Sequence, residues 1–276
     1  MRSSLEIWDL ARGEPRVVLQ TDRHIEAPNW SPCGRYLLVN GEGGLFRVPL
    51  EAPALQAIDL DGVGRLNNDH GISPDGKTWV ISSHHRGFGS EIWLVAAGGG
   101  VPCRVSPDAP SWWHGWSPVG ATLVYVAARG GRLIDVYTLP VAGGPETRLT
   151  KGEGHCDGPD YSPDGRQIYY NCDRDGHAQI WVMAADGSGQ RKLFADDHVN
   201  WFPHPSPCGR HVIYLAYPPG TLGHPADLPV AICRMDPEGG NRQRLVEING
   251  GQGTMNVPNW APDGSAFAYV RYALPG

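Results

Sequence analysis

Glu26, Asn68, Trp112, Asp157, Trp201 and Asn256 each stand six residues ahead of a proline in a recurring turn, at Pro32, Pro74, Pro118, Pro163, Pro207 and Pro262. Two carboxylates, two amides and two indoles at one repeat position form a candidate ring able to hold a sugar-like or otherwise polar small molecule. Imidazoles lie close to it in sequence: His24 and His155 eight residues before their prolines, His70 and His114 four before, and His204 three before. His198 precedes the segment that carries Trp201. Imidazoles with a carboxylate could instead bind a divalent metal such as Mn²⁺ or Zn²⁺; no other cofactor is expected. A catalytic use would take Asp157, Glu26 and a neighbouring histidine as acid–base groups acting on a carbohydrate, in a lyase or hydrolase. Each group also has a structural use. The indoles could pack between repeats, the imidazoles could bond backbone carbonyls, and the carboxylates could cap turns.

The element that must position these residues is the repeat itself. The turn reads WSPCG at 30–34, ISPDG at 72–76, WSPVG at 116–120, YSPDG at 161–165, PSPCG at 205–209 and WAPDG at 260–264, with proline intervals of 42, 44, 45, 44 and 55 residues. Proline presets φ, Asp bonds its own backbone and Gly supplies a positive φ, so each copy is a tight hairpin turn. An alternating apolar strand follows each one, such as Tyr36-Leu37-Leu38-Val39 or Val212-Ile213-Tyr214-Leu215. A third strand is marked by Phe46, Trp93, Tyr137, Trp181 and Cys233, and Gly-rich turns lead into a fourth. Units of about 44 residues with four short strands are propeller blades. The expected fold is all-β, a six-bladed β-propeller with four antiparallel strands per blade, forming a single domain over 1–276.

The last unit runs out of chain after its second strand. Leu5-Glu6-Ile7-Trp8-Asp9-Leu10 reads like the third-strand segment Ser90-Glu91-Ile92-Trp93-Leu94-Val95, and Val17-Val18-Leu19 supplies a fourth strand. Blade six is therefore expected to combine 256–272 with 5–20, closing the ring and removing exposed sheet edges. The ring of candidate residues then faces the mouth of the central channel.

The SPDG turn, followed by a Tyr- or Val-rich strand and an Ile-Trp strand, resembles the TolB-like propeller family, whose WD-like repeats also occur in prolyl oligopeptidase relatives and oligogalacturonate lyases. The resemblance covers the whole chain, and Gly250-Gly251-Gln252-Gly253-Thr254-Met255-Asn256-Val257-Pro258-Asn259-Trp260 is similar to a stretch of small stand-alone bacterial members. It implies a propeller fold and leaves the role open, because one propeller hosts many activities. The Tol-system protein is similar only in its propeller and carries an additional N-terminal domain and a periplasmic signal. Peptidase relatives depend on a hydrolase domain with a G-x-S-x-G elbow, which this sequence lacks, so serine-peptidase activity is not expected. The lyases hold a metal through His and Gln. Asn200-Trp201-Phe202-Pro203-His204 echoes that pattern too loosely to transfer the site.

Composition narrows the partners. The formal charge of -6 comes without any Lys/Arg cluster, so no nucleic acid is expected. No apolar run approaches the roughly 18 residues that span a bilayer, and no membrane association is expected. The chain enters a strand pattern at once, which points to the cytoplasm, or to the periplasm if a leader has been removed. The six cysteines lack a CxxC pair and are expected as free thiols. Gly250–Gly253 is not a phosphate loop, since no helix follows, and Asp173-Arg174-Asp175-Gly176 reads as a hairpin turn. The longer fifth interval places Pro218-Pro219-Gly220 through Pro229 in an insertion that serves either as a recognition loop or as a surface excursion. No nucleophile–base pair is legible, so the leading expectation is a monomeric, non-catalytic module that binds a protein or small polar ligand at its channel mouth.

Overall fold

The recurring turns owe their shape to the serine as well as the proline. In five copies the serine hydroxyl accepts from the backbone N–H five residues on: Ser31 from Tyr36, Ser73 from Thr78, Ser117 from Thr122, Ser162 from Gln167 and Ser206 from His211, all at 2.9–3.1 Å. In the SPDG copies the aspartate adds a second tie, with Asp75 accepting from Ser73 at 2.6 Å and from the Lys77 N–H at 3.0 Å. The six turn glycines (34, 76, 120, 165, 209 and 264) all sit between φ 67° and 75°, where a Cβ would be strained. The sixth copy has Ala261 in place of serine; it keeps the backbone bond from Ala261 N–H to Ala266 O, 2.8 Å, and Asp263 accepts from the Ser265 N–H at 2.9 Å.

A computed structural model describes residues 3–87 and 89–274; among them are strands and turns and no helix. The chain opens with β1 (Ser3–Asp9) and β2 (Glu14–Thr21). Blade one follows as β3 (Glu26–Trp30), β4 (Tyr36–Gly41), β5 (Gly44–Pro49) and β6 (Gln56–Ala57). Blade two is β7 (Leu66–Ile72), β8 (Thr78–Ser83), β9 (Glu91–Ala96) and β10 (Cys103–Arg104). Blade three is β11 (Ser111–Trp116), β12 (Thr122–Ala127), β13 (Asp135–Pro140) and β14 (Thr147–Arg148). Blade four is β15 (Cys156–Tyr161), β16 (Gln167–Cys172), β17 (Gln179–Ala184) and β18 (Arg191–Lys192). Blade five is β19 (Val199–Pro205), β20 (Val212–Tyr217), β21 (Leu228–Met235) and β22 (Gln243–Gly250), and β23 (Ala266–Tyr272) ends the chain. Within each of these five blades the strands pair in sequence order and antiparallel.

Blade six is built from both ends of the chain, in the order β2-β1-β23. The pairing of β1 with β23 is unbroken from Ser3 opposite Tyr272 to Asp9 opposite Ala266. The innermost strand of this blade is reduced to a bridge between Trp260 and Phe267, because Gly250–Pro258 is spent on the channel mouth. One polar side chain stitches the seam. Glu6 is buried and accepts from Tyr269 Oη at 2.5 Å, Arg271 Nη2 at 3.1 Å and Ser4 Oγ at 3.0 Å.

Apolar side chains alternate along the strands and pack between successive blades, giving six clusters for six interfaces. The cluster at the seam joins Leu5, Ile7 and Val270 of blade six to Ile25, Leu37 and Val39 of blade one. Another joins Trp8, Phe267 and Tyr269 to Trp201, Ile213 and Ile232 of blade five. Each blade is thus held by both neighbours, and opening the ring would expose two such faces at once.

The cysteines depart from expectation in one pair. Cys156 and Cys172 face each other across β15 and β16 and form a disulfide. Neither spacing nor repeat position reveals this, since the two are adjacent only through strand register. Cys33, Cys103 and Cys208 are exposed free thiols, and Cys233 is a buried one.

The seam sets the stability of the ring. Leu5 is 0% exposed, so Leu5→Ala is expected to cost about 2–5 kcal/mol in denaturant unfolding. The nearby control Val17→Ala, at a side chain 51% exposed, stays within about 0.5 kcal/mol. Equal effects of the two would contradict closure by β1.

Candidate functional site

A bulge recurs at the same place in the inner strand of five blades and aims side chains at the channel. The register slips between Glu26 and Asn29, Leu66 and His70, Trp113 and Gly115, Asp157 and Asp160, and Trp201 and His204. In three of them the residue after the ring position adopts a positive φ: Ala27 at 51°, Gly158 at 57° and Phe202 at 53°. A bulge of this kind re-aims the side chain before it. Neighbouring blades hold the bulged backbone: Ser82 Oγ accepts from the Trp113 N–H (2.9 Å) and Asn171 Oδ1 from the Phe202 N–H (3.0 Å). Gly158 is tightly fitted, since a Cβ there would lie 2.7 Å from Asn171 Oδ1 and 3.2 Å from the Phe202 backbone.

Asp157 is the hub of the site. His114 Nε2 lies 2.9 Å from its Oδ1, His155 Nε2 3.4 Å and His224 Nε2 3.8 Å from its Oδ2, and the Gly158 N–H donates to Oδ1 at 2.7 Å. The imidazoles come from blade three, blade four and the insertion of blade five. Burial pushes the Asp157 carboxyl up, but the hydrogen bonds and charges of His114 and His155 hold it well below the usual range. Burial correspondingly pulls His114 and His155 down, and Asp157 outweighs it, leaving both raised. His224 ends lowered, because burial outweighs its attraction to Asp157.

Glu26, from the opposite blade, heads a second cluster. It is met by His24 Nε2 at 3.1 Å and Asn40 Nδ2 at 2.9 Å. Asn68, with its amide oriented to donate to Glu26 at 2.7 Å, accepts from Gln252 Nε2 at 2.6 Å. Gln252 Oε1 accepts from Asn256 Nδ2 at 3.4 Å and from His224 Nδ1, and Asn256 Oδ1 anchors the Gly253 N–H at 2.8 Å. Gln252 thereby joins the Glu26 and Asp157 clusters across the mouth.

The insertion folds inward as a cap. Pro225 O accepts from the Gln252 N–H at 3.1 Å and Tyr217 Oη at 3.3 Å, and a Cβ on Gly251 would meet that oxygen at 2.1 Å. The His224 ring then packs tilted against Trp201 at 4.4 Å and edge-on to Phe202 at 5.1 Å. Two hollows share His155, His224 and Gln252 in their walls. One of about 500 Å³ lies between His155, Trp201 and the 221–226 loop. Another, of about 320 Å³, is lined by Asn67, Asp69, His84, Trp112, His114, Asp157, Gln252 and Asn256 among others.

Of the residues singled out from sequence, Glu26, Asn68, Trp112, His114, His155, Asp157, Trp201 and Asn256 meet at or beside these hollows. His70 and His204 lie deeper and line neither. His204 has both nitrogens engaged, Nδ1 with Asp160 Oδ2 at 3.1 Å and Nε2 with Met255 O at 2.9 Å, and it ties three blades together. His70 is fully buried and pushed down to about 4 by that burial, which keeps the ring neutral. His224, Gln252, Asn40 and Asp69 were not singled out. The insertion was visible as extra length, but its inward fold was not, and Asp69 sits one residue beyond the ring position in a bulge whose register is not written in the local pattern. Among the described residues, no group of three or more His, Cys, Asp or Glu is arranged to hold a metal ion.

Blades, turn motif and polar channel mouth together define a six-bladed propeller of the SPDG-turn type. Residues 106–223 match the TolB beta propeller domain. An uncharacterized protein of Agrobacterium fabrum is 48% identical over 273 residues, covering 99% of this chain and 93% of its own length. A solved structure of a TolB candidate from Agrobacterium tumefaciens superposes with a TM-score of 0.98 at 47% identity, covering 100% of this chain and 99% of the other. The Tol-Pal system protein TolB of Francisella tularensis subsp. tularensis is 24% identical over 89% of this chain, which spans only 56% of that relative. The chain belongs to the TolB-like β-propeller family.

Asp69 generates a pH-dependent stability. Burial raises its carboxyl from 3.8 to about 7, so between those values the folded protein holds a proton that the unfolded chain has lost. Stability contributed by this group therefore falls as pH rises toward 7. Asp69→Asn removes the effect, and its advantage over wild type should grow by on the order of 3 kcal/mol between about pH 5 and about pH 8 in urea unfolding. A pH-independent difference would place the Asp69 carboxylate in contact with solvent.

Proposed function

We propose that this propeller is a binding module that receives a small polar ligand at its channel mouth, while its blade loops engage a protein partner. The observation that carries the reading is the convergence on Asp157 of His114, His155 and His224 from three blades, joined by Gln252 to the Glu26 cluster. Such a mixture of fixed acceptors, donors and indole faces orients a polar molecule of many hydrogen-bonding groups. The name of the Francisella relative supports protein partners for the family. The Cys156–Cys172 bridge, on the strand that carries Asp157, favours an oxidising compartment over the cytoplasm.

A second reading, a carbohydrate-active enzyme, is favoured by two buried carboxylates on one hollow, Asp157 held ionised and Asp69 raised to about 7. Such a divergence suits an acid and a base. Release of reducing ends or unsaturated products from a polysaccharide panel would establish it in place of simple binding.

A thermal-shift screen of sugars and other polar metabolites tests the main reading. A ligand at about 100 times its Kd stabilises by about 2.7 kcal/mol, enough for a shift of several degrees. That shift should vanish in Asp157→Asn and in Gln252→Ala. Shifts that survive both variants would move the ligand away from the mouth.

A further inference from the structure

We infer that the hollow behind the Asp157 cluster receives a small molecule bearing a primary ammonium group, with Asp69 as its counter-ion. The inference rests on the reading of the channel mouth as a ligand site and adds the chemistry of the ligand. It follows from which groups around the hollow already have partners. Asp157 is met by His114 and His155, and Glu26 by His24, Asn40 and Asn68. Asp69 has nothing comparable. It is 7% exposed, it lines the hollow of about 320 Å³, and no donor among the described residues reaches its carboxylate.

Two donors on the same strand are spent elsewhere. The Asp69 N–H donates to Asn67 Oδ1 at 3.2 Å, and the Asn67 amide donates to Ser90 Oγ at 2.9 Å. A buried carboxylate without a donor is unfavourable unless something supplies both hydrogen bonds and opposite charge. A second acceptor faces the same space. Gln252 directs its Nε2 at Asn68 and so offers Oε1 to His224, which makes His224 Nδ1 the donor and leaves Nε2 of the neutral ring as an acceptor on the wall of the hollow.

An ammonium matches this lining: it carries three donors, no acceptor and a positive charge. The Trp112 indole on the wall of the hollow suits a cation or the carbon chain beside it. A carboxylate or phosphate would instead meet Asp69 and Asp157 as like charges. The charges that Asp69 feels are His114, which favours its ionised form, and Asp157 and Glu26, which oppose it. An incoming cation adds to the first and draws the proton off Asp69.

Matched pairs test the proposal on the intact chain: ethanolamine against ethylene glycol, glucosamine against glucose, and triglycine against N-acetyl-triglycine. Affinity is read by calorimetry and thermal shift in wild type, Asp69→Asn and Trp112→Leu. The expected result is at least about tenfold tighter binding of an amine than of its uncharged partner, loss of that preference in Asp69→Asn, and weaker amine binding in Trp112→Leu. Near neutral pH the binding heat should also vary with the ionisation enthalpy of the buffer, because the proton leaves Asp69. Equal affinity within the pairs, or a preference that persists in Asp69→Asn, overturns the ammonium assignment while the mouth stands as a ligand site. Preference confined to triglycine overturns the small-ligand assignment in favour of a peptide terminus. Binding by none of these compounds overturns the proposal outright.

Discussion

Everything at the channel mouth depends on the hydrogen-bonded pairing of β1 with β23. A propeller has no central core; it is stable because each blade is packed on two neighbours, and that condition fails for every blade next to a gap. The unbroken register from Ser3–Tyr272 to Asp9–Ala266 supplies the missing neighbour, with Glu6 bonded inside the seam to Tyr269 and Arg271. Closure brings Gly250–Asn256 beside blades one and two, so that Gly253 meets Ala27 and Gln252 meets Asn68.

Within the closed ring, the bulges decide where chemistry can occur. A regular inner strand would alternate its side chains between the two blade faces, toward the neighbouring blades. The register slip beside the ring position of five blades breaks that alternation and turns Glu26 and Asp157 into the opening. Their environments then diverge. Asp157 is surrounded by imidazoles and stays ionised, whereas Asp69, on the adjoining wall, is buried without a donor and holds a proton up to about pH 7. Two carboxylates of one hollow thus carry different charges because one received imidazoles from two blades and the other received none.

Much of the candidate site is legible in the sequence, for a definite reason. Repeats impose a common frame, so counting back from each proline places residues at the same height in every blade, and Glu26, Asn68, Trp112, Asp157, Trp201 and Asn256 fall into that frame. His204 shows where counting stops being informative. Its position is near the ring, but Asp160 and Met255 occupy both of its nitrogens. His224 escaped because an insertion lies outside the repeat frame, and nothing in a Pro- and Gly-rich segment says whether it folds outward or back over the channel.

The amino-acid sequence alone determined the number of blades, the hairpin turns and the sharing of the last blade between the two termini, because turn chemistry and strand alternation act over a few residues and repeat. Tertiary structure decided which of those residues became partners: the disulfide between Cys156 and Cys172, the inward cap of 218–227, and the isolation of Asp69. These are relations between segments far apart in the chain. They depend on strand register and blade packing, and no local pattern carries that information.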